Sequence, residues 1–437
     1  MGYKTINSSN TEFMTTEAGD TWTLNFGSKI DATNIGIFQD YANTVLHIDG
    51  SVEGDQLGIL NQGDNSQVWV GAKGEVSSYG NAVTLYGQNP SLINKGEIAS
   101  GGKYAVLTGN GSDTIKNYGY IFGDNTDGDV TFQGTAGGMA HGSFENWGFV
   151  SGAHGLLLTD SDATIHNYAQ GLIKTTYTAM TVNNAVGVSD LLNNDGEISG
   201  GTAFLGGDGD ENIVNSGKIT GDIDTYGGED SLLLKAGSSI SGNVDLGEGD
   251  DTLDLRHGSL GKSSFSGGDG NDVYVVGKDG INIYEAKNGG IDSVSSSVSY
   301  HLQANFENLY LSGTATIDGF GNAGDNYLYG NGGNNHLVGG KGDDELYGMG
   351  GTDRLTGGVG VDTFIFGKNF GHDEMTDFHQ GEDHINLHDI GGLSSFADVI
   401  AHASQVGADV VLNFGGGEVL TIDQTDLKSL KDGDFIY

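Results

Sequence analysis

Residues 321–365 read GNAGDNYLY, GNGGNNHLV, GGKGDDELY, GMGGTDRLT and GGVGVDTFI, five nine-residue units in tandem. Each opens on glycine and carries Asn or Asp at its sixth position: Asn326, Asn335, Asp344, Asp353 and Asp362. Each eighth position is large and apolar: Leu328, Leu337, Leu346, Leu355 and Phe364. A flexible glycine linker has no reason to place an apolar side chain every ninth residue. Six residues of turn followed by three of strand make two units one 18-residue coil. Stacked coils lie about 4.7–4.9 Å apart, so carboxylates one coil apart in sequence face each other across that spacing. Calcium takes oxygen ligands at about 2.3–2.6 Å, and twice that distance spans one coil. Magnesium, at about 2.0–2.1 Å with strict octahedral demands, fits worse.

The units match the GGxGxDxUx pattern and resemble the repeats of RTX proteins. A further copy, GGDGNDVYV, stands at 267–275, and the stretch between it and the tandem block is similar to the spacer that joins such blocks. The resemblance implies a parallel β-roll that binds several calcium ions through sixth-position side chains and turn carbonyls. Asp344 with Asp362 is then the best pair, because both turns keep aspartate. Asp353 with Asn335, and Asp344 with Asn326, replace one carboxylate by an amide and are expected to be weaker. Gly340, Gly342, Gly358 and Gly360 would supply carbonyls. From 366 onward the order is MTDFHQGEDHINL, a helical stretch SSFADVIAHASQ, a hairpin VVLNFGGGEVLTI and the tail KDGDFIY. This order resembles the C-terminal ends of RTX proteins exported by type I secretion with an uncleaved signal. Asp377 and Asp383 match acids that close the last calcium site in such proteins.

Residues 40–260 carry a longer period. An apolar-Asn-x-Gly-x-apolar pattern recurs in LINKGEIAS, IKNYGYIFG, FENWGFVSG, LNNDGEISG and IVNSGKITG, with IHNYAQGLI two residues longer. Aligned on glycine, the rungs fall at Gly50, Gly74, Gly96, Gly119, Gly148, Gly171, Gly196, Gly217, Gly237 and Gly258, spaced by 20–29 residues. Such periods indicate a solenoid. Each rung reads as three short strands, for example AVLTG, TIKN and YIFG, so a right-handed three-sided parallel β-helix is expected. Its Asn-Gly rungs are similar to those of autotransporter passenger domains. The Asn side chains are expected to form a ladder at one corner, a structural role that suits Asn and Gly in turns. Tyr118, Trp147 and Tyr168 follow the Asn of successive rungs and should form one aromatic column, read as packing rather than as a sugar platform.

The two repeat types merge in mid-chain. Acidic glycine turns fall at 206–214, 227–234, 247–255 and 267–275, one per rung, with an earlier GNGSDTI at 109–115. Stacked acidic turns repel one another without a cation. Glu211, Asp230, Asp251 and Asp272 are therefore expected to line a second calcium row.

Lys and Arg number 18 against 59 Asp and Glu, a formal charge of −41. Self-repulsion at that charge opposes a compact state, and divalent ions in the turns would relieve it, so folding should be linked to metal. No basic patch exists to neutralise phosphates, which argues against nucleic acid. The absence of cysteine excludes disulfides, cysteine nucleophiles and thiolate metal sites. The segment MGYKTINSSNTEF lacks the basic region and apolar run of a secretory signal, and no window approaches 18 apolar residues. Extracellular calcium modules work at about 10⁻⁴–10⁻³ M, so a secreted, cell-surface or extracellular bacterial protein is expected.

Catalytic signatures are scarce: HExxH, GxSxG and a Walker loop are all missing. His379, His384 and His388 lie near Asp377, Asp383 and Asp389 and read as a solvated loop rather than a transition-metal site. The sequence therefore points to an all-β chain: an N-terminal cap (1–39), a parallel β-helix (40–277), a spacer (278–320), an RTX β-roll (321–366) and a C-terminal cap with a secretion signal (367–437). The expected role is non-catalytic surface or matrix association or adhesion, with self-assembly into a homo-oligomer open. Its partners would be calcium, the type I secretion machinery and an extracellular polysaccharide or cell surface. A polysaccharide lyase or epimerase using the β-helix groove is the alternative, and an RTX toxin or bacteriocin the third.

Overall fold

The computed structural model describes residues 3–6, 18–102, 104–109, 113–123, 130–135, 142–159, 162–278 and 280–437. Residues 110–112 of GNGSDTI and part of the N-terminal cap fall outside these residues. The chain is nearly all β and winds as a parallel β-solenoid. It divides into two compact units, residues 1–249 with 257–265, and residues 250–256 with 266–437.

In the first unit three strands per rung stack in parallel columns, as AVLTG, TIKN and YIFG implied. One column runs through Ile59, Val83 and Val106. A second runs through Leu92, Ile115, Phe144, Ile165, Leu192 and Ile213. A third runs through Val76, Ile98, Ile121, Val150, Ile173, Ile198 and Ile219. All of these side chains are buried. In the second column alternation sends every second residue inward, whereas Leu57–Asn61 and Asn81–Leu85 of the first bury four residues in a row.

The Asn positions form the expected ladder. Asn94, Asn117, Asn146, Asn167, Asn194 and Asn215 are fully buried, and each Nδ2 donates to the next Oδ1 at 2.8–2.9 Å. At most rungs the same Oδ1 accepts the N–H of the glycine two residues on, as Asn146 does from Gly148 at 3.2 Å. The two extra residues of IHNYAQGLI are absorbed in the turn after Asn167, and Leu172 still pairs with Phe149. The ladder ends where Leu234 pairs with Asn215. One glycine assignment shifts by a residue. Ser239 N donates to Gly217 O and Ser259 N to Ser238 O, so Ser238 holds the aligned position. Gly237 instead takes the preceding bend at φ 89°.

A prediction follows from the ladder. Asn146→Leu removes a donor and an acceptor from a dry corner, leaving Asn167 Oδ1 and an N–H of Asn117 Nδ2 without the partners they have in the ladder. Each orphaned buried group costs about 1–3 kcal/mol. The variant should unfold at lower urea, and an unchanged urea midpoint would refute the ladder's contribution.

In the second unit the 18-residue coil is the observed register. Leu328 pairs with Leu346 and Leu346 with Phe364 on one side, and Leu337 with Leu355 on the other. The stretch 278–320, read as a spacer, is itself built of rungs, since Tyr274, Val294, Leu309 and Leu328 pair in turn. Past the repeats Phe364 pairs with Ile385, and Leu355 with Met375. A helix, Phe396–Ala401, is capped by Ser395. The antiparallel hairpin Asp409–Gly415 with Glu418–Ile422 docks through Met375–Ile422. The tail strand Phe435–Ile436 pairs with His384–Asn386. Among the described residues no helix is long and apolar enough to cross a membrane.

Candidate metal centre

The sixth-position side chains lie in two stacked columns, each at the start of a short strand. In one, Asn326 N donates to Asp344 Oδ1 at 2.8 Å, Asp344 N to Asp362 Oδ1 at 3.0 Å, and Asp362 N to Asp383 Oδ1 at 3.0 Å. In the other, Asn335 N donates to Asp353 Oδ1 at 2.8 Å and Asp353 N to Asp373 Oδ1 at 2.9 Å. Each carboxylate thus spends one oxygen on the backbone of the preceding coil. The second oxygen of Asp344, Asp353, Asp362 and Asp373 is buried and has no hydrogen-bond partner. Burial pushes these carboxyls up from the ordinary 3.8, to about 7 for Asp344, about 6 for Asp353 and Asp362, and about 8 for Asp373. An orphaned carboxylate oxygen in a dry turn is costly unless a proton or a cation meets it.

The glycines make room for that oxygen. A Cβ at Gly339, Gly348 or Gly357 would collide with Oδ2 of Asp344, Asp353 or Asp362 respectively. Gly340, Gly342, Gly358 and Gly360 all have φ between 105° and 147°, a region that side chains avoid. The carbonyls of Gly340 and Gly342 lie against Gly358 and Gly360 of the next coil. The donor set is oxygen only, carboxylate and carbonyl, which suits a hard cation such as calcium. Gly357→Ala should therefore displace Asp362 Oδ2 and strain the turn by about 1–3 kcal/mol. Its calcium midpoint for folding, followed by circular dichroism, should rise; a wild-type midpoint would show that the cradle is dispensable.

The expected residues do not all play one part. Asn326 and Asn335 join the columns, but each Nδ2 donates to a carbonyl of the previous coil, Phe306 O at 3.0 Å and Ile317 O at 2.6 Å. Their Oδ1 atoms accept from Asn322 and Asn331 N–H at 2.6 and 2.8 Å. Both amide atoms are engaged, so these turns satisfy themselves by hydrogen bonds alone. Asp377 grips the amides of Gly357 and Gly358 at 2.9 Å each. In the first unit Glu211 N donates to Asp230 Oδ1 at 2.7 Å, and burial raises both carboxyls. In the second, Asp251 N donates to Asp272 Oδ1 at 2.8 Å. The mid-chain acids thus repeat the geometry of the tandem block within each unit.

Asp292 and Asp373 escaped the sequence reading, because their turns, GGID and FGHD, break the nonapeptide pattern. Both keep one signal: an acid two residues before a buried apolar side chain, Val294 and Met375. A second ladder also went unnoticed. Asp343 N donates to Asp325 Oδ1, and Val361 N to Asp343 Oδ1, each at 2.8 Å along the exposed fifth positions.

The model of the RTX calcium-binding nonapeptide repeat matches four copies, over residues 320–346 and 329–364. These are RTX calcium-binding repeats. Calcium is the ion that such repeats bind. Two curated proteins of Rhizobium meliloti are similar over part of the chain. "Endo-1,3-1,4-beta-glycanase EglC" is 40% identical over 38% of this chain and 35% of its own length. "Endo-1,3-1,4-beta-glycanase ExsH" is 42% identical over 38% of this chain and 33% of its own length. The chain therefore spans about a third of the length of the curated relatives it matches. The extracellular lipase LipA of Serratia marcescens aligns at 17% identity over 59% of this chain and 41% of its own, with a TM-score of 0.20, too low to bear on fold or function.

Outside the RTX turns the surface offers less chemistry. Tyr118, Trp147 and Tyr168 do form one column, with centroids 4.5 and 4.0 Å apart and planes within 8°. His166 covers the far face of the column at 3.7 Å from Tyr168. Stacked this way the rings present edges to solvent, and sugar stacking needs faces. A shallow β-helix groove of about 330 Å³ has, among the described residues, Glu53 as its one acidic lining residue, beside Tyr79 and Phe122.

Proposed function

We propose that this is a secreted calcium-binding β-solenoid that folds on calcium outside the cell and acts without catalysis in surface or matrix association. The observation that carries the reading is the set of buried, unpartnered carboxylate oxygens in the RTX turns. In a chain of formal charge −41 they keep the calcium-poor state loose, which suits passage through a type I channel. Extracellular calcium then closes the turns. In this reading residues 321–366 are the roll, 367–437 cap it and carry the secretion signal, and 40–277 supply the surface that meets a polysaccharide, a cell surface or another copy.

Light scattering across concentration in millimolar calcium, with a chelator control, tests it. Calcium-dependent assemblies would support association as the role. A monomer at every concentration, with no affinity for extracellular polysaccharide, would overturn it.

A second reading draws on the two glycanase relatives: an extracellular enzyme acting on polysaccharide. Glycoside hydrolysis needs two carboxyl groups about 5–9.5 Å apart, and among the described residues the β-helix groove is lined by one. A cleavage screen on mixed-linkage β-glucans, read as reducing ends, separates the two readings.

A further inference from the structure

The rung that follows Asp272 has no RTX turn of its own, yet among the described residues it completes the one place where three metal-ligating side chains converge. Asp272, Glu285 and Asp292 each bring a carboxylate oxygen within 4.8 Å of the others. Three oxygens on one calcium ion lie within about twice 2.3–2.6 Å of each other. Asp272 and Asp292 are fully buried and Glu285 is 5% exposed.

The oxygens are not spent on one another. Asp272 Oδ1 accepts from Asp251 N at 2.8 Å and Asp292 Oδ1 from Asp272 N at 2.9 Å. That leaves Oδ2 of both aspartates buried without a partner. Both oxygens of Glu285 are held by hydrogen bonds, Oε2 accepting from Gly268 N at 3.4 Å. Its Oε1 accepts from the Tyr274 hydroxyl and from Gly267 N, the latter at 3.1 Å, and its backbone carbonyl accepts from Asn305 Nδ2 at 2.9 Å. Tyr274 fills the eighth position, where the tandem repeats place Leu or Phe. An apolar residue would serve the core as well. The hydroxyl accepts from Gly267 N and donates to Glu285, so it ties that carboxylate to the turn.

We infer that Asp272, Glu285 and Asp292 form a calcium site separate from the tandem block 321–365, with Tyr274 positioning its third carboxylate. Two carboxylates one rung apart are the arrangement of the tandem block. Here a third comes from the loop between the rungs, so the buried site offers three carboxylates, a charge of −3 when all are ionised. Only oxygen is offered, which selects a hard cation, and no thiolate or imidazole competes. Calcium binding by the tandem repeats is not needed for this site, whereas the proposed calcium-driven folding is one setting in which it would fill.

The test counts ions on the full chain by equilibrium dialysis against calcium, beside Glu285→Gln and Tyr274→Phe. Glu285→Gln keeps the shape and the hydroxyl's acceptor but removes one charge, and should bind one ion fewer than wild type. Tyr274→Phe keeps every carboxylate and should weaken that one ion by about 10–100-fold, the usual effect of losing a group that orients a ligand. Wild-type counts and affinities in both variants, each folded by circular dichroism, would overturn the site and leave the RTX turns untouched. The converse is also readable. If calcium leaves the fold of every variant unchanged while the one-ion difference persists, calcium-driven folding fails and this site stands.

Discussion

Asp344→Asn combined with Asp362→Asn is expected to raise the calcium needed for the β-sheet circular dichroism signal by on the order of tenfold or more, since affinity follows ligand charge count. The same variant should be better folded than wild type in chelator. The two effects have one cause. Each aspartate uses Oδ1 to hold the amide of the preceding coil and leaves Oδ2 bare. Asparagine keeps the Oδ1 acceptor and replaces the bare oxygen by an N–H donor. Asn326 and Asn335 show that an amide can also turn over, with Oδ1 accepting from an N–H of its own turn and Nδ2 donating to a carbonyl of the coil before, so no bare buried carboxylate is left. The alanine pair must behave differently. It also strips the acceptors of Asn326 N and Asp344 N, at about 1–3 kcal/mol per orphaned amide, so it should fold less well with or without calcium. Equal calcium midpoints for wild type and the asparagine pair would sink the assignment of these two turns as an ion site.

What the sequence disclosed and what it hid follow from how local each constraint is. Period dictates register, so the 18-residue coil, the Leu328–Leu346–Phe364 column and the Asn94–Asn215 ladder were legible without coordinates. Glycine alone is a weaker marker, because a rung can put glycine in a bend and serine at the aligned place, as at Gly237 and Ser238. The chemistry of a sixth position was legible only as residue type. That Asn326 closes its own turn, while Asp344 cannot, depends on which atom faces the previous coil. Asp292 and Asp373 were hidden by rungs of 20 residues, where the register pairs Tyr274 with Val294 and Leu355 with Met375. Glu285 carried no signal in the sequence at all. It reaches Asp272 across 13 positions by way of a loop, and only the buried hydroxyl of Tyr274 hints at a polar partner.

Acidification is expected to stabilise the calcium-free fold and to weaken calcium binding. Burial raises Asp344, Asp272 and Asp292 to about 7, Asp353 and Asp362 to about 6, and Asp373 to about 8, all from 3.8. A carboxyl whose folded value lies above its unfolded value binds its proton more tightly in the folded chain. Between the two values the folded state therefore holds more protons, and its stability falls as pH rises. The penalty is absent below about 4, the ordinary carboxylate value, and is complete above about 8. With calcium the sign reverses, because the ion needs the charged form and binding must expel the protons. In chelator, the sheet signal at pH 5.5 should survive more urea than at pH 8.5. In calcium, the folding midpoint should shift to higher calcium as pH drops from 8 to 6, and calorimetric heats at pH 6.5 should vary with the buffer's ionisation enthalpy. Those heats discriminate between the two ways of meeting a bare buried oxygen. If they do not depend on the buffer, the carboxyls are already charged without calcium, and some group other than a proton faces Oδ2 in the empty turn.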